Sequence, residues 1–152
     1  MIRYFGMVCG IFGLDGFIKK RIDEKEEKPE IVVGKCKITR CRNKGAMYSV
    51  GEKYPDRVRM MSASMLAGIA IHWLHTIVGR KSSKVEKAGA SLLLGGSISN
   101  VWDRFTRNYV VDYIHIDKKF LRKIIFNLSD VCIVIGGCIT MLVSMLRFIK
   151  DE

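Results

Sequence analysis

Asn100 to Asp130 reads "NVWDRFTRNYVVDYIHIDKKFLRKIIFNLSD". It starts at the polar end of one apolar stretch and stops where another begins. Three aspartates, Asp103, Asp112 and Asp130, and two asparagines, Asn100 and Asn127, thus sit where hydrophobic segments meet water. A carboxylate in or beside apolar surroundings is costly unless water or a partner meets it. Such residues within membrane-like segments tend to face a bundle interior or a watery cavity.

Working outward, the chain divides into four apolar blocks. They are Tyr4–Ile18, Met60–Gly79, Ala88–Trp102 and Val131–Ile149. Crossing a bilayer takes about 20 apolar residues. The second and fourth blocks qualify alone. The first and third qualify only if helix continues into their polar ends. The pattern predicts a mostly α membrane protein, a four-transmembrane-helix bundle forming one domain over 1–152. The expected spans are 2–19, 60–79, 87–106 and 129–149. The apolar start reads as an uncleaved first helix, because Asp15 interrupts it and no small-residue cleavage site follows.

Between the first two helices, 20–59 is long and charged. Its "EIVVGKCKITRC" is rich in β-branched residues and bounded by Pro29 and Asn43-Lys44-Gly45. A small extracytoplasmic β-structure is expected there. "YVVDYI", Tyr109–Ile114, also reads as extended. Arg80–Lys87 is a short basic turn.

The net charge is +11 in 152 residues, 49% of them hydrophobic. The basic residues lie between the apolar blocks and form no single face, so membrane lipids are the expected partner and nucleic acid is not. Cationic loops commonly mark the cytoplasmic side. Here the short turn points one way and Lys19–Arg59, net +6, the other. Charge alone leaves orientation open. Cys9, Cys132 and Cys138 lie in apolar segments and read as packing residues. Cys36 and Cys41 lie in a polar loop, where an oxidising compartment would allow a bridge.

At helical spacing Gly96, Asn100, Asp103 and Arg104 share a face. An Asp103–Arg104 ion pair is the simplest structural expectation. Asn127 and Asp130 stand one turn apart, with Asn127 suited to cap a helix. Asp112 and Asp130 would meet if the segment between them folded back. Two carboxylates that share a proton can act as base and acid toward water. His72 and His75 lie one turn apart but lack the HExxH pattern of a zinc site, so no metal is expected. The serines of "SLLLGGSIS" match no nucleophile elbow. Gly95 and Gly96 suit close helix packing.

The motifs "GGSISNVWDR", "VVDYI" and "FNLSD" resemble, in order and interval, the GGxxGNxxDR, VxDF and FNxAD patterns of the bacterial lipoprotein signal peptidases, the type II signal peptidases. "LDGFIKK" is similar to that family's LDxxxK through Asp15 and Lys19. "NKGAMYS" is similar to NxGxAFS through Asn43, Gly45 and Ala46. The resemblance spans nearly the whole chain. It implies an intramembrane aspartic endopeptidase of the bacterial plasma membrane, with cytoplasmic termini and a site near the outer surface. The implied substrate is a diacylglyceryl-modified prolipoprotein, cut before the lipidated cysteine. No cofactor is implied, and a monomer is expected.

By the same resemblance Asp112 and Asp130 are the catalytic pair. Asn43, Asn100, Asp103, Arg104 and Asn127 support the site or bind substrate. Departures from the pattern include Tyr48 for Phe, Ser99 for Gly, Asn108 for Gly and Ser129 for Ala. Asn tolerates left-handed backbone, so Asn108 is a mild change. Two rivals stand beside this reading: a degenerate, non-cleaving lipoprotein-binding protein and a small transporter-like subunit.

Overall fold

The computed structural model describes residues 1–25, 31–33, 36–46, 50–116 and 124–151. Pro29, Tyr48 and part of the expected first-loop β-structure lie outside them. Four long helices carry the fold: α1 (Ile2–Asp23), α2 (Pro55–Val78), α3 (Lys84–Thr106) and α4 (Leu128–Asp151). All four expected helices are present, with longer bounds. α2 begins five residues early because Pro55 fits the first helical turn, where no amide donor is needed. α3 begins at a capping box, Ser83 with Glu86, that closes two of its free amides.

α3 is the central helix, packed against the other three. Its buried face is small and polar, including Gly89, Ser91, Gly96, Ser97, Ser99, Asn100 and Asp103. Side chains pointing away from the bundle are apolar: Phe5 and Phe17 on α1, Met65 and Ile71 on α2, Met141 and Phe148 on α4 are all exposed. This inverts the soluble-protein pattern, in which apolar side chains fill the interior. α2 and α4 are long and apolar enough to cross a membrane. Lacking a hydrophobic drive inward, such helices associate by close packing of small residues. A Cβ on Gly96 would stand 2.5 Å from the Ser129 carbonyl, and one on Gly136 2.5 Å from that of Gly89. These contacts fix α3 against α4.

A four-stranded antiparallel sheet caps the bundle, in the order β1 (Ile31–Val33), β2 (Cys36–Asn43), β3 (Val110–Ile116), β4 (Ile125–Phe126). The sheet is not confined to the first loop, as the sequence suggested. Half its strands come from between α3 and α4. A lone hairpin is marginal in water, and the β-branched β3 completes it. β2 pairs Cys41 with Asp112, and β3 pairs Ile114 with Phe126. Cys36 and Cys41 stand on one strand. Five residues of strand span about 16 Å, far beyond the roughly 7 Å limit for a disulfide, so these two cysteines do not bridge each other.

Candidate active site

β3 and the start of α4 bring the two expected carboxylates to one cavity. The strand reversal from β3 to β4 returns the chain beside Asp112, and α4 begins at once after Asn127. Asn127 is its N-cap. Its Oδ1 accepts from the Asp130 amide at 2.9 Å, and the Asp130 carboxylate accepts from the Asn127 amide at 3.0 Å. This reciprocal box fixes the Asp130 side chain in the first helical turn. Asn127 does more than cap. Its Nδ2 donates to Asp112 Oδ1 at 2.8 Å, so this one residue binds both carboxylates, Asp112 through its side chain and Asp130 through its backbone amide.

Two further amides complete the frame. Asn43, at the end of β2, donates to Asp112 Oδ2 at 3.1 Å and holds its own loop through the Gly45 amide. Asn100 donates to Asp130 Oδ1 at 2.8 Å. Lys19 Nζ reaches Asn100 Oδ1 at 2.9 Å, which orients that amide so its NH2 faces Asp130. Both carboxylates, Asn43, Asn100 and Arg104 line a cavity of about 620 Å3. Its other walls are mainly apolar, with Val110, Ile116, Ile125, Phe126 and Val134 among them.

Asp112 is 4% exposed. Burial first, and the nearby Asp130 charge second, push its carboxyl up to about 7, against the amide hydrogen bonds that favour the anion. An acid so placed holds a proton near neutrality beside a second carboxylate, a pairing suited to moving protons to and from water.

Asp103 does not pair with Arg104. Neighbouring helical residues point about 100° apart and do not face each other. Asp103 instead meets Lys19 at 3.2 Å, Arg107 at 3.5 Å and the Val111 amide at 3.4 Å. It holds α3 to α1 and to β3. Arg104 donates to the carbonyls of Asn100 and Gly45, at 3.2 and 3.1 Å, tying α3 to the loop after β2. Asn108 has φ of 63°, the only non-glycine residue with positive φ among those described, as its place in the motif anticipated. His72 is half-buried and His75 exposed. Among the described residues no three His, Cys, Asp or Glu side chains gather as metal ligands.

Sequence reasoning gave little weight to one cluster. Asp15 and Lys19, both fully buried, form an ion pair at 2.7 Å behind the asparagines. A carboxylate and an ammonium one turn apart inside an apolar block were the available signal.

A helix bundle with an inward polar face, holding two framed carboxylates at an apolar-walled cavity, describes an aspartic peptidase of a membrane kind. The comparisons agree. The family model for signal peptidase (SPase) II matches residues 7–147. The lipoprotein signal peptidase of Solibacter usitatus is 26% identical over 95% of this chain and 91% of its own. That of Lactiplantibacillus plantarum is 31% identical over 77% and 74%. A solved bacterial membrane enzyme shares the fold, with a TM-score of 0.83 at 20% identity over the whole chain and 92% of its own. The chain belongs to the signal peptidase II family. It is an aspartic peptidase that removes signal peptides from prolipoproteins. The non-cleaving and transporter-like alternatives are not favoured.

Proposed function

We propose that Asp112 and Asp130 carry the catalysis, on a prolipoprotein whose cysteine bears diacylglycerol, with cleavage just before that cysteine. The observation that carries this reading is the single cavity that joins both carboxylates to an apolar wall. The wall would take acyl chains and signal-peptide side chains while the polar floor takes the scissile bond.

The pair shares one proton. The ionised member takes a proton from water as that water attacks the scissile carbonyl. The protonated member hydrogen-bonds the carbonyl oxygen and later helps protonate the leaving amine. The pair titrates as a unit, so neither aspartate is assigned a fixed role. Asn43, Asn100 and Asn127 hold the carboxylates. Asp103 and Arg104 hold the elements that present them.

All four helices cross the bacterial plasma membrane as one domain over 1–152, with both termini cytoplasmic. The apolar outer faces of α1 and α3, including Phe17 and Trp102, support spans beyond α2 and α4. The sheet then lies at the extracytoplasmic surface, against membrane lipids, and the chain acts as a monomer.

The test is gel-shift cleavage of a diacylglyceryl-modified prolipoprotein by the reconstituted protein. Asp112→Asn and Asp130→Asn each lower the rate about 10³-fold or more while the protein stays folded. Either variant cutting at the wild-type rate would sink the reading.

A further inference from the structure

Three side chains here differ from the family pattern in the same chemical way. Ser99 stands for Gly in GGxxGNxxDR, Tyr113 for Phe in VxDF, and Ser129 for Ala in FNxAD. Each substitution adds one hydroxyl. The three come from α3, β3 and α4, up to 30 residues apart in sequence. In the fold all three hydroxyls donate to one carboxylate on a fourth element, Asp15 of α1. Ser99 Oγ and Ser129 Oγ each reach Asp15 Oδ2 at 2.6 Å, and Tyr113 Oη reaches Oδ1 at 2.9 Å. All four residues are at most 4% exposed.

Their placement relative to the site is equally specific. Ser99 precedes Asn100, Tyr113 follows Asp112, and Ser129 precedes Asp130. Each hydroxyl therefore anchors backbone one residue from a group that frames or forms the carboxylate pair. Two contacts tighten the connection. Tyr113 Oη accepts from the Leu128 amide at 3.1 Å, in the first turn of α4. Lys19 Nζ, held by Asp15, donates to Ser99 Oγ at 3.1 Å as well as to Asn100. None of the three hydroxyl-bearing residues lines the 620 Å3 cavity.

We infer that Ser99, Tyr113 and Ser129 are positioning residues of this chain, a triple-hydroxyl clamp on Asp15 that sets Asn100, Asp112 and Asp130 in register for catalysis. This rests on the Asp112/Asp130 reading. The clamp lies behind the carboxylates and away from substrate, so its loss changes turnover and not substrate affinity. A displacement of the order of 1 Å at reacting groups costs up to about 100-fold in rate. Losing one of several hydrogen bonds to the clamp costs less.

The experiment measures kcat, KM and thermal unfolding in detergent for Ser99→Ala, Tyr113→Phe, Ser129→Ala and the Ser99→Ala/Ser129→Ala double variant, with Asp112→Asn alongside. Each single variant is expected to lower kcat about tenfold with KM unchanged. The double variant is expected to lose less than the product of its singles, because both hydroxyls serve one oxygen. Wild-type kcat in folded Tyr113→Phe and Ser129→Ala overturns the clamp, even if their melting points fall. Those two carry the side chains of the family pattern, so they decide the matter if Ser99→Ala folds poorly. A KM rise at constant kcat also overturns it. Undiminished cleavage by Asp112→Asn overturns the carboxylate reading instead, and the clamp with it.

Discussion

Two carboxylate clusters lie back to back across Asn100, and they are built to opposite ends. Behind it, Asp15 is fully buried and meets an ammonium and three hydroxyls. In front, Asp112 receives neutral amides from Asn43 and Asn127 and faces a cavity with Asp130 beside it. The rear carboxylate has its charge matched by Lys19 and both oxygens hydrogen-bonded. The front one is held by neutral amides and, among the described residues, makes no ion pair, with the Lys19 and Arg104 charges acting on it only from farther off. Rigidity and the proposed reactivity are thus separated by one layer of asparagine side chains.

Breaking the rear cluster should give the largest loss of stability. Lys19→Met leaves Asp15 and Asp103 buried without their shared cation. Removing one partner of a buried pair costs about 3–5 kcal/mol. Thermal unfolding in detergent is expected to show a melting point lowered by many degrees, or no folded protein. A variant as stable as wild type would mean the rear cluster does not hold the fold.

The front cluster should show its tension through pH. The folded Asp112 carboxyl, raised to about 7, binds its proton more tightly than the unfolded chain does at an ordinary 3.8. The associated stability is fully present below about 4 and is lost as pH rises to about 7. Above that it changes no further. Asp112→Asn has no proton to lose there. Its melting point is expected to gain on wild type between pH 4 and 7, with a constant advantage beyond. Parallel curves across that range would place the Asp112 proton elsewhere. Cleavage by wild type is expected to fall on the alkaline side as the pair's proton is lost.

The motif segments carry most of the site legibly, because their chemistry is local. Asn127 and Asp130 declare a helix cap by spacing, β-branched Val110–Ile114 declares a strand, and the glycines of α3 declare close packing. The rear cluster is hard to read because its contacts are not local. Asp15 meets Ser99, Tyr113 and Ser129 across 84 to 114 residues. The sheet was only half legible for the same reason, since β2 and β3 are distant in sequence. The expected Asp103–Arg104 pair failed on helix geometry, which turns adjacent side chains away from each other. That geometry was available from the sequence.

The smallest effect belongs to Asn108. Its positive φ suits glycine, while its side chain accepts from Arg59 Nη1 at 3.2 Å in an exposed contact. Asn108→Gly exchanges a weak surface bond for relief of backbone strain. A change within about 0.5 kcal/mol is expected, and Asn108→Val should be worse by about 1 kcal/mol or more. Equal melting points for the two would remove backbone conformation as the reason for asparagine there.

Asn127 starts α4 and holds Asp112 with the same side chain. If Asp112 and Asp130 catalyse as proposed, helix nucleation and arming of the peptidase are one event. α4 is synthesised after α1, α2 and α3, so on that proposal the chain is a protease without an edge until α4 forms. On the same proposal it becomes able to cut only when the fourth helix has wound its first turn against the third, and any later fraying of that turn would switch it off again.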